Sequence, residues 1–189
     1  MFERLSELID PNGKAFWRLR PDPLIATVLL LASFVLFALR DSVRSALWFL
    51  AGVDLMIHEA GHPVFGVFGI EFIGFLGGTL MQLMMPVAFF LYFLRHSQPK
   101  SADAVLFWIG QNLLDVGRYM ADARSQDLPL LGGGEHDWAY LLGATGLLKH
   151  DRTLGGLADF MGCALLTLSV YGLIIHYREG ARKRPGRDA

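Results

Sequence analysis

Two histidines and a glutamate within one short stretch have the residue types and the spacing that metal chemistry requires. His58 and His62 are four residues apart, and Glu59 follows His58 directly. Residues four apart on an α-helix lie on one face, about one turn along the axis, so both imidazoles can bind one metal ion. Glu59 is then close enough to act on a water molecule at that ion. This H-E-x-x-H pattern is typical of zinc metalloproteases, where two histidines are ligands and the glutamate is the general base.

The residues around this motif are strongly apolar, from Leu47 to Ile57 before it and from Val64 to Phe68 after it. The alternative interpretation is a pair of buried histidines that are hydrogen-bonded within a helix bundle. Ionisable residues are rare in apolar spans and are usually functional, and burial of Glu59 without a partner is costly. The sequence therefore favours one catalytic Zn²⁺ ion bound by His58 and His62.

The composition indicates a small integral membrane protein. The chain has 189 residues, of which 53% are hydrophobic, and the apolar residues occur in long blocks. The formal net charge of −1 gives no indication of a nucleic-acid partner, and the single cysteine, Cys163, excludes an internal disulfide. The lipid bilayer is the predicted environment.

The apolar blocks predict an all-α, polytopic transmembrane helix bundle of about five spans. The predicted spans are residues 24–39, 46–70, 72–94, 104–121 and 155–176. A re-entrant segment is predicted within residues 129–148, where leucines follow a glycine-rich stretch. The chain thus divides into a polar, interfacial N-terminal segment (residues 1–23), a transmembrane core (24–176) and a basic tail (177–189). Basic residues directly after a span place the C-terminus in the cytoplasm.

Further polar residues fall within these spans. Gln82 can bind a substrate backbone or the transition-state oxygen, and the alternative is an interhelical hydrogen bond. Asn112 is a second candidate for that oxygen. Asp54 is expected either to orient an imidazole or to lie near the end of its helix. In the fourth span, polar residues recur at three- and four-residue steps, which predicts a cavity wall, an Asp–Arg network, or both. These residues are Gln111, Asn112, Asp115, Arg118, Tyr119 and Asp122.

A catalytic zinc ion usually has three protein ligands and one open position. The sequence has no third histidine close to His62, so the third ligand must come from a distant part of the chain. From the residues alone, the candidates are Asp115, Asp122, His136 and Asp137.

The motif in an apolar helix, followed by more spans and a distant aspartate, resembles the site-2 protease family of intramembrane zinc metalloproteases, and within it the small bacterial branch. In that branch an aspartate is followed by a leucine four residues later and then by a Thr-Gly pair. Asp137, Leu141 and Thr145-Gly146 have this spacing. The L-D-G and N-x-x-P motifs of better-known members are absent, although Leu114-Asp115-Val116-Gly117 is a loose counterpart of the first. The resemblance covers residues 46–150.

The resemblance implies a zinc-dependent intramembrane endopeptidase of the bacterial inner membrane, acting on a membrane protein substrate. It favours Asp137 as the third ligand, ahead of His136 and Asp115, with Glu59 as the catalytic base. Two other functions remain open: a non-proteolytic, metal-binding membrane scaffold, and a metal-dependent hydrolase of lipids or other amides.

Overall fold

The structure is a computed structural model that describes Glu7, Asp10, residues 23–130 and residues 134–182. Within these ranges the chain forms seven α-helices and one 3₁₀ turn, without any strand, which confirms the all-α prediction. The helices are α1 (Pro23–Ala38), α2 (Arg40–Ala46), α3 (Trp48–Gly66), α4 (Glu71–Arg95), α5 (Pro99–Ala121), α6 (Asp137–Ala144) and α7 (Asp151–Arg182), and the 3₁₀ turn is Leu148–His150. Most of the predicted interfacial segment 1–23, and the tail from residue 183, lie outside the described residues.

Local signals set several helix ends. Proline begins α1 at Pro23 and α5 at Pro99, where its missing N–H group has no helical partner to lose. Gly69, between α3 and α4, has a φ of +67°, and Gly146, after α6, has a φ of +71°. Glycine adopts this left-handed conformation without steric cost, so both turns can be tight.

The prediction of about five spans is not supported. Among the described residues, two helical runs are long and apolar enough to cross a membrane, namely α4 and the run Leu148–Gly180. A third span results if α1 and α2, which are bent by 76° at their junction, are counted as one. The predicted spans 46–70 and 104–121 do not qualify, because α3 carries the His-Glu-His motif and α5 carries the polar stripe.

The bend between α1 and α2 brings Arg44 to the interior. Its guanidinium donates two hydrogen bonds to the backbone carbonyl of Leu114 on α5, at 3.1 and 2.8 Å. It also forms an ion pair with Asp159 on α7, whose second oxygen is 3.1 Å from Nε of Arg40. One cluster of charges therefore joins α2, α5 and α7.

Helix α5 is the centre of the bundle. Its residues belong to both hydrophobic core clusters, one with Phe90 and Leu94 of α4, and the other with Cys163 and Leu166 of α7. Helices α4 and α7 therefore pack on α5 from different sides.

Two pairs of glycines allow α5 and α7 to pack closely. A Cβ atom at Gly110 would lie 2.8 Å from the carbonyl oxygen of Gly162, and one at Gly162 would lie 2.6 Å from that of Gly110. Gly117 and Gly155 form the second pair, and a Cβ atom at Gly117 would lie 2.7 Å from the carbonyl oxygen of Gly155. Small residues allow such backbone contacts between membrane helices.

The distribution of polar groups is inverted relative to that of a water-soluble protein. The exposed surface includes large apolar side chains such as Leu31 and Phe34 on α1, Met56 on α3, Phe89 on α4 and Met161 on α7. The buried polar residues include Asp54, His58, Gln82, Asp103, Gln111, Asn112, Asp159 and His176. A large exposed apolar surface marks contact with a membrane or a partner, and the two or three apolar helices are compatible with a membrane protein.

Substitution of Gly155 tests the close packing of α5 and α7, and the adjacent Gly156 provides the control. Gly155→Val should lower the free energy of unfolding by about 1–3 kcal/mol, since the new side chain would meet the fixed backbone of Gly117. Gly156→Val should cost less, because no atom lies within 4 Å of a Cβ atom there. Denaturant titration in detergent micelles measures both values, and equal losses would contradict the packing described.

Candidate metal centre

The two histidines of the motif lie one turn apart on α3, and their side chains converge. Their ring centroids are 5.0 Å apart, and the ring planes are nearly perpendicular, at 76°. Both Nε2 atoms face the same oxygen, Oδ2 of Asp137, at 2.8 Å from His58 and 3.4 Å from His62. The structure thus brings together two histidines from consecutive turns of one helix and an aspartate that is distant in sequence.

The other ring nitrogen of each histidine contacts a carbonyl oxygen. Nδ1 of His58 is 3.2 Å from Oε1 of Gln82, and Nδ1 of His62 is 2.9 Å from the backbone oxygen of Gly74. A carbonyl oxygen only accepts hydrogen bonds, so each Nδ1 atom carries a hydrogen and donates it. Nε2 is then the atom of each ring that faces Asp137 and that a metal ion would bind. Partners of this kind fix the tautomer of histidines that bind metals.

These three side chains fit a metal ion. The candidate ligand atoms of His58, His62 and Asp137 all lie within 4.8 Å of one another. Around a tetrahedral zinc ion with bonds near 2.0–2.1 Å, neighbouring ligand atoms are about 3.3 Å apart, which is the scale of the two Nε2–Oδ2 distances. Two imidazoles and one carboxylate are a donor set found in catalytic zinc sites, and a fourth position stays open. The group can therefore hold a metal ion.

Glycine on α4 makes room for the first histidine. A Cβ atom at Gly78 would lie 2.5 Å from Nε2 of His58 and 2.7 Å from two ring carbons. One turn away along α3, Gly61 packs against the backbone of Gly77. The Gly77-Gly78 pair thus lets α4 approach α3 so closely that Gln82, one turn further along, reaches the imidazole.

Asp137 is positioned by the beginning of α6. His136 caps this helix, because its Nδ1 atom accepts a hydrogen bond of 3.3 Å from the N–H of Ala139. The N–H of Asp137 donates to the hydroxyl of Tyr119 at 3.2 Å. Burial alone would raise the pKa of the Asp137 carboxyl, but the hydrogen bonds to His58 and His62 hold the pKa below its ordinary value. The ionised form is the one that binds metals.

His136, the second candidate for third ligand, lies outside this group. Its Nδ1 lone pair is used by the helix cap, and Nε2 faces Asp122, with 3.4 Å between Nε2 and Oδ2. The side chain is 2% exposed, and burial lowers the pKa of the imidazole although the Asp122 carboxylate opposes this shift. His136 is thus a neutral residue that caps α6 and contacts the end of α5.

The other two candidates for third ligand also have other partners. Asp115 accepts a hydrogen bond from the side-chain amide of Gln111, and its carboxylate interacts electrostatically with Arg44 and Arg118. Asp122 accepts hydrogen bonds from the hydroxyl of Ser125 and from the backbone N–H groups of Asp127 and Leu128. These bonds hold the pKa of Asp122 below its ordinary value, although burial opposes them. Asp122 therefore organises the connector after α5.

Two further expected site residues have contacts away from the imidazoles. Asp54 accepts a hydrogen bond of 2.7 Å from Nε1 of Trp108, and does not contact either histidine. Asn112 is fully buried, and its amide nitrogen donates to the backbone carbonyl of Trp108 at 3.0 Å. Asp54 and Asn112 therefore both contact Trp108, and Asp54 joins α3 to α5.

Two cavities border the candidate metal centre and share part of their lining. The first, of about 480 Å³, is lined by residues that include His62, Glu71, Phe75, Glu135 and Asp137. The second, of about 290 Å³, is lined by residues that include Leu55, His58, Gln82, Asp115, Arg118 and Pro129. Both are lined by Glu59, Tyr119 and Leu130. A chain that passes from one cavity to the other would therefore pass Glu59 and the three candidate ligands.

Tyr119 is the site residue that the sequence analysis did not single out. In the sequence, Tyr119 is one of the polar residues that recur along α5, and it follows Asp115 by one turn. That spacing places Tyr119 on the same helix face as Asp115, which is the only sequence signal for its position. Its contact with Asp137 depends on how the connector returns to α5.

No family model, no curated protein and no solved structure matches this chain. The assignment of the site therefore depends on the chemistry and geometry of its own residues.

Asp137→Asn tests the ligand set, and Asp115→Asn is the matched control. The neutral amide should lower zinc affinity by more than the roughly 10- to 100-fold that loss of an outer partner costs, because a charged ligand is removed. Asp115→Asn should retain zinc. Metal analysis of the purified variants by mass spectrometry measures the occupancy. Retention of zinc by Asp137→Asn, or its loss from Asp115→Asn alone, would contradict the assignment.

Gln82→Leu tests the outer partner of His58. Loss of the acceptor for Nδ1 should weaken zinc binding by roughly 10- to 100-fold. Gln82→Glu keeps an oxygen acceptor for the same N–H group and should preserve the affinity. Competition with a chromogenic zinc chelator measures both, and equal affinities for the leucine and glutamate variants would show that the contact is unimportant.

Proposed function

We propose that this chain is a zinc-dependent intramembrane endopeptidase that hydrolyses a peptide bond in, or next to, a membrane-embedded segment of a protein substrate. The observation that carries the proposal is the position of Glu59. It lies beside the group of His58, His62 and Asp137 and lines both cavities that meet there.

The three ligands would hold one zinc ion. When bound, zinc supplies Lewis acidity, which polarises a peptide carbonyl and makes a water molecule a better nucleophile. The contacts of His58 with Gln82 and of His62 with Gly74 keep both Nε2 lone pairs available for that ion. Asp137 supplies the negative charge of the donor set.

Glu59 is available as the general base. Its side chain is exposed, and the described part of the chain provides neither a hydrogen-bond partner nor an ion-pair partner for its carboxylate. A carboxylate oxygen of Glu59 would take a proton from the attacking water and then deliver it to the nitrogen of the leaving amine. A carboxylate held in a fixed ion pair could not serve this role as readily.

The surfaces of α3 and α5 support a site at membrane depth. The exposed side chains of α3 include the apolar Phe49, Leu55 and Met56 beside Glu59, whereas Asp54 and His58 are buried. Helix α5 is enclosed by α4 and α7, so it needs no apolar surface for lipid. Both helices would then lie in the bilayer beside the two or three apolar spans.

The basic residues near the C-terminus support a cytoplasmic location for that end. Arg178 follows the apolar part of α7, and Lys183 and Arg184 come after the last described residue. We assign the protein to the bacterial inner membrane on the resemblance stated above.

The substrate would have to be locally extended at the site. A helix uses its backbone carbonyls in its own hydrogen bonds, so a membrane span must unwind before a carbonyl becomes accessible. The two cavities together provide room on both sides of Glu59 for an unwound segment.

Glu59→Gln tests the proposal most simply, with Glu179→Gln as the matched control. The amide cannot accept the proton, so cleavage should fall by roughly 10²- to 10⁴-fold, while zinc content stays unchanged. Glu179 is exposed near the end of α7, and its substitution should not alter cleavage. The rate is measured with a fluorogenic, leucine-rich transmembrane peptide in proteoliposomes.

Three outcomes of this experiment would reject the proposal. Equal cleavage by Glu59→Gln and by the unaltered protein would exclude the proteolytic role of Glu59. Zinc binding by the unaltered protein without any cleavage would favour a metal-binding scaffold. Hydrolysis of a lipid amide but not of the peptide would favour a lipid or amide hydrolase.

A further inference from the structure

We infer that the hydroxyl of Tyr119 donates a hydrogen bond to the carbonyl oxygen of the substrate while that oxygen gains negative charge. This inference rests on the proposed peptidase function and assigns one more catalytic residue to the same site. It gives Tyr119 the role that the sequence analysis considered for Gln82 and Asn112.

Tyr119 lies where the two cavities share their lining. Among the residues that line the two cavities, only Glu59, Tyr119 and Leu130 line both, and of these only Glu59 and Tyr119 have polar side chains. Glu59 extends from α3 and Tyr119 from α5. A peptide that crosses between the cavities would therefore pass between a carboxylate that accepts protons and a phenol that can donate a hydrogen bond.

The phenol of Tyr119 has hydrogen-bonding capacity that its described contacts leave unused. A tyrosine hydroxyl has one proton to donate and can accept from other donors. The hydroxyl of Tyr119 accepts from the N–H of Asp137 at 3.2 Å, and no described residue accepts its proton. An ordinary phenol, with a pKa of about 10, keeps this proton at neutral pH. Tyr119 thus has a free hydrogen-bond donor directly beside Asp137, a candidate metal ligand.

Packing against two histidine rings orients the side chain of Tyr119. The ring of Tyr119 packs on the ring of His136, with 4.2 Å between the centroids and 32° between the planes. Its other contact is edge-on with His58, at 5.9 Å and 75°. His136 is itself buried and fixed as the cap of α6. A donor that is already oriented stabilises charge without the cost of rearrangement in the transition state.

The two other candidates are less suited to this role. The side-chain oxygen of Gln82 accepts the hydrogen bond from His58, so this side chain is fixed by its role as the outer partner of a ligand. Asn112 is completely buried, lines neither cavity at the site and donates to the backbone of Trp108. Tyr119 is the polar residue on α5 that combines a free donor with access to both cavities.

Tyr119→Phe is the direct test, because it removes the hydroxyl and keeps the ring that packs on His136. Loss of one donor to a developing oxyanion typically lowers kcat by roughly 10²- to 10³-fold. We expect a loss of this size, with little change in KM and with zinc content unchanged. Tyr177→Phe, at an exposed position near the far end of α7, is the matched control and should retain full activity.

A second measurement does not depend on turnover. A phosphinic pseudopeptide with leucine side chains has a tetrahedral phosphorus in place of a carbonyl carbon and so imitates the charged intermediate state. Tyr119→Phe should weaken its binding at least tenfold. The same substitution, combined with Glu59→Gln, should not weaken binding of the corresponding uncleaved peptide.

The two measurements separate the failure of this inference from the failure of the proposed function. If the unaltered protein cleaves the peptide and binds the pseudopeptide, and Tyr119→Phe does both equally well, the inference is wrong and the peptidase function stands. Loss of zinc from Tyr119→Phe would also overturn it, since the residue would then act by positioning Asp137. If the unaltered protein neither cleaves the peptide nor binds the pseudopeptide, the proposed function fails and the role of Tyr119 fails with it.

Discussion

The shared contact of two imidazoles with one carboxylate is the constraint on which the rest of this site depends. It requires α3 to present His58 and His62 on one face, and it requires the connector after α5 to return so that Asp137 reaches them. A small residue at Gly78 on α4 is needed as well, because a side chain there would occupy the position of the His58 ring. One cluster of ligand atoms thus joins α3 to the start of α6, and it also requires the close approach of α4.

The bundle around this cluster places polar groups inside and apolar groups outside. Several buried ionisable side chains have partners on neighbouring helices: Asp54 contacts Trp108, Arg44 contacts Asp159, and Asp103 contacts His176 at 2.6 Å. Burial of a polar group is costly unless it is hydrogen-bonded, and this cost is greatest where water is excluded. The same contacts that satisfy these groups also join α2, α3, α5 and α7, so the polar interior contributes to the specificity of packing.

The local part of the site could be predicted from the sequence, and the non-local part could not. The spacing of His58 and His62 places both imidazoles on one helix turn, and the structure shows them there. Residue spacing alone left four candidates for the third ligand, because the approach of a distant residue depends on the fold of the connector. Asp137 was favoured only through a family resemblance, and the geometry now groups it with the two histidines.

The span count and the roles of single polar residues show where sequence patterns fail. Apolar blocks predicted five spans, but polarity on the inner face lowers the apolar content of α3 and α5. The amide of Gln82 in an apolar stretch predicts a buried polar contact, but the sequence does not show that its partner is His58. Tyr119 lies in a visible stripe of polar residues, yet its contact with Asp137 requires the chain to fold back across the end of α5.

X-ray absorption at the zinc edge of the purified protein would identify the atoms that bind the metal. We expect zinc to be bound by two imidazole nitrogens and by oxygen atoms of a carboxylate and of water, at about 2.0–2.1 Å, without sulfur. A spectrum with one imidazole or none, or with a sulfur ligand from Cys163, would show that His58, His62 and Asp137 do not form the metal centre.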